Sequence, residues 1–261
     1  VNALASAYRI WRMLGTGISF VLFYLGCLTA GPAVIAWSFI AYRAQQARAH
    51  FLQRSFHRLF GWFAAFMQAC QLARFRWIGF DDFRSPGGRL IVANHPTLID
   101  VVLLIARLPE VDCIVKAELF ENRFTRHCVT AAGYVPNSAG QAVIDAAVER
   151  LRLGRDVLLF PEGTRSPVGG LNPFQRGAAR IALAAGCDII PVFVQCQPAM
   201  LSKGSKWYEV PRERPRMELC AGAPIRVGCI ADDAGTPSAA ARAVTEELER
   251  RFCKELGLER A

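Results

Sequence analysis

The chain has 261 residues, 52% of them hydrophobic and 20% charged, with a mean hydropathy of +0.22, which excludes a disordered chain and allows a substantial buried core. The formal charge of +9 sits almost wholly at one end: no Asp or Glu precedes Asp81 while eight Arg do, so residues 1–80 carry +8 and the remainder +1. A basic, acid-free stretch interleaved with apolar runs fits an anionic membrane surface and argues against nucleic acid, whose binders carry their basic residues on a polar folded face.

Met13 to Tyr42 is a run of 30 residues without a charge, 21 of them apolar, long enough for membrane insertion and longer than the ~7–15-residue core of a signal peptide. As one straight helix it would measure roughly 45 Å against a hydrocarbon layer of ~30 Å, so it must tilt, protrude or break, and Gly31-Pro32 is the expected break. A tilted span and a bent segment that enters and leaves on one face both fit. The second is favoured, because Arg9 and Arg12 lie before the run and Arg43, Arg48, Arg54 and Arg58 after it, and the excess places the C-terminal side in the cytoplasm. Residues 44–75 then repeat apolar positions at helical spacing (Leu52, Phe56, Leu59, Phe63, Phe66, Met67). With Arg54, Arg58 and Trp62 this predicts a helix that either lies among headgroups or packs its stripe on a folded domain. Residues 1–75 are therefore read as an N-terminal membrane-anchoring helical segment and 76–261 as the domain it carries.

Beyond Gly79 short apolar runs alternate with helical patterns, which predicts an α/β fold with a central mostly parallel or mixed sheet flanked by helices. Strands are expected near 72–79, 89–93, 112–116, 133–135, 156–160, 188–194 and 216–221. Helices are expected near 97–107, 118–131, 139–153, 174–185 and 238–256, the last introduced by Thr236-Pro237. The polar, proline-bounded run from Pro198 to Pro215 reads as a surface excursion.

Chemistry gathers at two strand ends. In RLIVANHPTLID (residues 89–100) an apolar strand stops at Asn94-His95-Pro96, and a helix begins whose first turn holds Asp100. A carboxylate bonded to one imidazole nitrogen fixes the tautomer, so that the other nitrogen can accept a proton. In DVLLFPEGTRS (residues 156–166) a second strand delivers Glu162, Gly163, Thr164 and Arg165 together, where ligands bind in open α/β sheets. Arg165 and Arg176 are suited to an anionic headgroup, and Gly163 to close backbone approach. No G-x-S-x-G elbow, G-x4-G-K-[ST] loop or H-E-x-x-H is present, so serine-hydrolase, nucleotide-triphosphatase and zincin readings lack their motifs. The nine cysteines lie singly, without C-x-x-C or a Cys/His cluster, and read as small buried hydrophobes in a reducing compartment.

NHPTLID followed by LFPEGTRS, then GAAR and IIPVFV, with VKAEL between the first two, resembles the glycerolipid acyltransferase family that includes the 1-acylglycerol-3-phosphate acyltransferases, over roughly residues 72–225. The resemblance implies that His95 is a general base oriented by Asp100, that Glu162, Gly163, Thr164 and Arg165 bind the acceptor, and that Pro191 gives acyl-chain or structural support. It implies acyl transfer from acyl-CoA or acyl carrier protein, as donor substrate, to a lysophospholipid or related lipid in the membrane, with the catalytic domain on the cytoplasmic face. No cofactor, metal or nucleic-acid partner is implied. A lipid-binding protein that lost activity, or a transacylase or hydrolase using the same dyad, are the alternatives. One departure stands out: the family's second block reads as a glycine, two apolar positions and then an arginine a few residues on, whereas this chain reads GYVPNSAGQ (residues 133–141), with no Arg, so acceptors other than lysophosphatidate stay open. For acyl transfer the oxyanion needs donors, and backbone N–H groups at the helix start after Pro96 are the expected ones.

Overall fold

The computed structural model describes residues 2–84, 87–138 and 140–258. It opens with helices α1 (Asn2–Leu28), α2 (Ala30–Ala41) and α3 (Gln45–Ala69). The break falls at Thr29, two residues before Gly31-Pro32. Its cause is still Pro32, which has no N–H and crowds the carbonyl four residues back, that of Leu28, the last residue of α1. The axis stays nearly continuous, with Thr29 N–H bonded to Leu25 O (2.9 Å) and Ala33 N–H to Thr29 O (3.0 Å).

Helix α3 packs its apolar stripe on the domain. Leu52, Phe56, Ala64 and Met67 are buried, and Gln53 Nε2 donates to Asp112 Oδ1 (2.9 Å) and Ala132 O (3.0 Å), while Trp62 is 79% exposed. Ala64 and Met67 share one core with sheet residues Ile91 and Leu219, so the N-terminal segment and the sheet are built around common packing.

The sheet strands are β1 (Arg74–Ile78), β2 (Leu90–Ala93), β3 (Val111–Lys116), β4 (Val135–Asn137), β5 (Asp156–Leu159), β6 (Ile189–Gln197) and β7 (Arg216–Ala221). Their order among the described residues is β1-β7-β6-β2-β5-β3-β4. All neighbours are parallel except β6 and β7, so the sheet is mostly parallel and mixed, as its apolar runs predict. β2 lies between β5 and β6, and all four of its residues are 0% exposed. Such a strand must read as a continuous apolar run, and LIVA does.

Ile91 and Ala93 face a core shared with α3 and α4 (Asp100–Ile105), whereas Leu90 and Val92 face α7 (Gln141–Arg152), α8 (Gly177–Ala185) and α10 (Pro237–Leu256). α10 starts as predicted: Thr236 Oγ1 accepts from Ala239 N–H (3.2 Å), with Pro237 in the first turn. The helix expected over 118–131 is split into α5 (Glu118–Glu121) and α6 (Arg126–Ala131), because Asn122 Oδ1 captures Phe124 N–H (2.9 Å) and turns the chain. A short α9 (Val227–Asp232) was not anticipated.

The run from Pro198 to Pro215 is a surface excursion from Lys203 to Glu209, as expected, but is anchored at both ends. Met200, Leu201 and Ser202 are buried, and the run is tied to α1 by Arg12, whose guanidinium donates to Pro211 O (2.8 Å) and to Arg212 O. A polar composition concealed this, because the bonds that hold the loop in are made by its backbone carbonyls.

Candidate active site

β2 and β5 are parallel neighbours, with Leu90 opposite Val157 and Val92 opposite Leu159, so their carboxyl ends, and the segments beyond them, lie side by side. That register brings His95 to the second motif from 67 residues away. Both blocks therefore open at the switch point where open α/β sheets bind ligands.

The His95 side chain is 17% exposed, and its Nδ1 lies 2.9 Å from Oδ2 of the fully buried Asp100. The same oxygen accepts Thr97 N–H (2.7 Å), while Asp100 Oδ1 accepts the Thr97 hydroxyl (2.5 Å). These bonds hold residues 97–99 in a turn, and α4 starts at Asp100, three residues later than the pattern suggested. An ionised carboxylate only accepts, so Nδ1 carries the proton and Nε2 presents a lone pair. No described residue hydrogen-bonds Nε2. The ring rests on Phe160, centroids 4.5 Å apart.

The second block braces the first. Glu162 is 4% exposed. Its Oε1 accepts from His95 N–H (3.2 Å) and the Ser166 hydroxyl, and its Oε2 from Asn172 N–H and Nδ2 (both 2.8 Å). Ser166 grips the His95 peptide from both sides: its N–H donates to His95 O (2.8 Å) and its Oγ accepts His95 N–H (3.1 Å). Asn94 fixes the strand just before, donating to Val194 O (2.8 Å) and accepting from Val194 N–H (2.7 Å) on β6. Gly163 takes a left-handed φ of +65°, which a side chain would strain.

Arg165 reaches sideways, its Nη1 donating to Leu201 O and Ser202 O (3.0 Å each), so one amino group is anchored while Nη2 and Nε have no bonded partner among the described residues. Arg176 is exposed just ahead of α8, and Thr164 is half-buried. Pro191 is buried in β6 opposite Val92, its carbonyl accepting Gly222 N–H (2.8 Å), in the sheet interior and away from the loop ends. Thr97, Leu98 and Ile99 N–H are spent on Asp100, Leu201 O and Thr97 Oγ1, so of the N–H groups beyond Pro96 the expected oxyanion donors narrow to those of the first turn of α4, which starts at Asp100.

Sequence reasoning missed Ser166, Asn172 and Asn94 as parts of the site. Polar residues ending an apolar strand were the available signal for Asn94, and Ser166 stood inside the motif, but nothing local marks Asn172. Lys116, at the carboxyl end of β3 and in register with Asn137, sits at the edge where the second-block arginine was expected. Among the partly buried thiols Cys196 lies near the site; desolvation first, with the Asp100 charge adding, pushes it up to about 12, so it stays protonated near neutral pH and is no nucleophile there.

An imidazole–carboxylate dyad braced by a Glu-Gly-Thr-Arg loop at adjoining strand ends of this sheet is an arrangement suited to proton abstraction. A family model described as Acyltransferase matches residues 74–195. A 1-acyl-sn-glycerol-3-phosphate acyltransferase of Helicobacter pylori is 30% identical over 65% of this chain and 68% of its own length. One from Salmonella typhimurium is 33% identical over 43% of this chain and 49% of its own. The crystal structure of the 1-acyl-sn-glycerophosphate acyltransferase PlsC from Thermotoga maritima superposes with a TM-score of 0.73 at 20% identity, covering 97% of this chain and 99% of that one, and so shares the fold. The chain belongs to the glycerolipid acyltransferase family and is an enzyme of acyl transfer to lipid.

Proposed function

We propose that this enzyme is a membrane-docked O-acyltransferase that moves a fatty acyl group from an acyl thioester, acyl-CoA or acyl carrier protein, to the hydroxyl of a lysophospholipid or related lipid without a covalent enzyme intermediate. The observation that carries the reading is the His95 Nδ1–Asp100 bond, with Nε2 left unbonded. A lipid alcohol must lose its proton as it attacks, and a neutral imidazole held in one tautomer is suited to take it. As Nε2 accepts the proton, the buried Asp100 stabilises the imidazolium. The oxygen attacks the thioester carbonyl, a tetrahedral oxyanion forms, and the carbon–sulfur bond breaks to release the thiolate, which the imidazolium can protonate. For the oxyanion, Thr164 and Arg165 N–H on the second loop, which bond no described residue, are the nearest donors.

For the acceptor, Arg165 offers Nη2 and Nε from an anchored fork, and Lys116 offers a second cation two strand spacings from β2, about 10 Å. The lack of an arginine in residues 133–141 lowers the demand for a phosphate. Glu162 and Ser166 act as positioning residues in this reading, and Pro191 as structural support.

Contacts of the N-terminal helix support docking from one face of the membrane. Trp11 Nε1 bonds Cys70 O (2.8 Å), Phe23 packs on Phe60 and Phe63, Tyr24 on Phe124, and Cys128 Sγ lies 2.8 Å from a Cβ position on Gly31. Trp11 to Gly31 measures about 30 Å along a helix, a full hydrocarbon thickness, and a segment pinned to the domain over that length has none of it left to cross with. Ile10, Leu14, Ile18 and Val21 are exposed along it as the face that meets lipid.

The test is product analysis: purified protein with labelled acyl-CoA or acyl carrier protein and a panel of lysolipids. Diacyl product is expected; free fatty acid alone, or no turnover with tight lipid binding, would replace this reading with hydrolysis or a binding protein.

A further inference from the structure

The loop between β6 and β7 stands between the lipid-facing helix and the catalytic blocks and is bonded to both. At its base, Leu201 O accepts Leu98 N–H (3.1 Å) from the first block and Arg165 Nη1 (3.0 Å) from the second. Leu201 holds a left-handed φ of +49°, a conformation that leucine rarely adopts and that these bonds keep in place. On its far side, Arg12 of α1 clamps Pro211 O and Arg212 O.

The tip between these clamps, Lys203 to Glu209, is exposed throughout. Trp207 and Tyr208, 48% and 43% exposed, meet edge to face at 5.6 Å, and Trp207 Cζ3 lies 3.0 Å from a Cβ position on Gly17. Gly17 sits between Leu14 and Ile18 of the exposed apolar run on α1. The aromatic pair therefore continues that run sideways, with one apolar body and one polar edge per ring, the side-chain type found at headgroup level. Lys206 Nζ lies 5.5 Å from the Tyr208 ring, and Lys203 is also exposed. The opposing charges are Glu209, whose Oε2 accepts Lys206 N–H (3.0 Å) and closes the turn, and Glu213; Arg212 adds a further cation.

We propose that residues Lys203–Tyr208 form a second membrane contact that reads anionic headgroups, and that through Leu201 and Ser202 it holds Arg165 and the first block in register with lipid at the surface. This rests on the one-face docking described above and adds to it a loop outside the helical segment. Lys203 and Lys206 touch no catalytic group, so K203A/K206A tests it without disturbing the chemistry.

The full chain is sedimented with vesicles of phosphatidylcholine alone and of phosphatidylcholine mixed with phosphatidylglycerol, and its turnover is measured on a short-chain, monomeric lysolipid. The variant should bind the anionic vesicles about 30-fold more weakly at low salt, from the ordinary attraction of two basic residues near such a surface. Its binding to phosphatidylcholine and its turnover of the monomeric acceptor should be unchanged, and its KM for vesicle-embedded acceptor should rise. Equal binding of variant and wild type to the anionic vesicles overturns the inference and leaves one-face docking standing. Failure of the wild type to bind either vesicle overturns both.

Discussion

Asp100→Asn is the most instructive perturbation, because the structure predicts that it removes charge while keeping shape. The Asn carbonyl can take the place of Oδ2 and still accept His95 Nδ1–H and Thr97 N–H. Its NH2 then faces Thr97 Oγ1, which presently donates to Oδ1 and can rotate to accept instead. The tautomer is preserved, the fully buried site stays bonded, and only the formal charge opposite the forming imidazolium is lost. With ring and carboxylate centres ~4 Å apart at an effective dielectric of ~20, that charge is worth about 4 kcal/mol, or about 10³-fold in rate. The assay is steady-state acyl transfer with both substrates varied, beside thermal melting. kcat should fall about 10³-fold, both KM values should hold within a few-fold, and the melting temperature should stay near wild type. Asp100→Ala, which strands three donors, should in contrast melt lower. Retention of more than about a tenth of wild-type kcat by Asp100→Asn would refute the claim that Asp100 works through its charge.

Three further outcomes follow from the same geometry. Glu162→Gln places an amide NH2 against a donor whichever way it turns, His95 N–H on one side or Asn172 N–H and Nδ2 on the other, and should cost about 2 kcal/mol, seen as a melting temperature lower by about 4–8 °C together with reduced kcat, since the brace on the His95 peptide is weakened. Arg165→Lys loses the fork, so acceptor KM should rise about 10- to 150-fold and donor KM less; an equal loss on phosphate-bearing and phosphate-free lysolipids would leave Arg165 only the bracing of Leu201 and Ser202. Iodoacetamide at pH 8 should modify exposed Cys229 and spare Cys196, whose pKa of about 12 leaves roughly 10⁻⁴ of it as thiolate. Labelling of Cys196 should climb about tenfold per pH unit, and activity should survive treatment at pH 8; inactivation that tracks Cys196 labelling would contradict the assignment.

The sheet was legible because its strands are buried on both sides. LIVA, VLLF and IIPVFV are short apolar runs, each entered from a charged residue, and each became a strand within a few residues of its expected limits. His95, Asp100 and the Glu162–Arg165 run were legible because the chemistry needs particular side chains at strand ends. Bonds to backbone carbonyls left no trace in composition: Arg12 on Pro211 and Arg212, and Arg165 on Leu201 and Ser202, tie down the two ends of a run whose tip lies at the surface as its polar composition suggests. Composition likewise does not show which N–H groups of a turn its own side chains claim, and Thr97 with Asp100 claims two of those just after Pro96. Pro32 marked a break correctly in kind and wrongly in place, because proline disturbs the helix four residues before itself.

The step on which the proposed reaction turns is the transfer of the acceptor hydroxyl's proton to His95 Nε2. Its most direct test is the single-turnover rate of acyl transfer for His95→Ala at saturating donor and acceptor, with folding checked by thermal melting and lipid binding by sedimentation. Because the ring is half-buried and contributes no hydrogen bond to the Glu162–Ser166 brace, which grips the His95 peptide, the variant should fold and bind vesicles as wild type does, and its rate should fall at least ~100-fold. A folded His95→Ala protein that transfers acyl groups at a wild-type rate would contradict the mechanism.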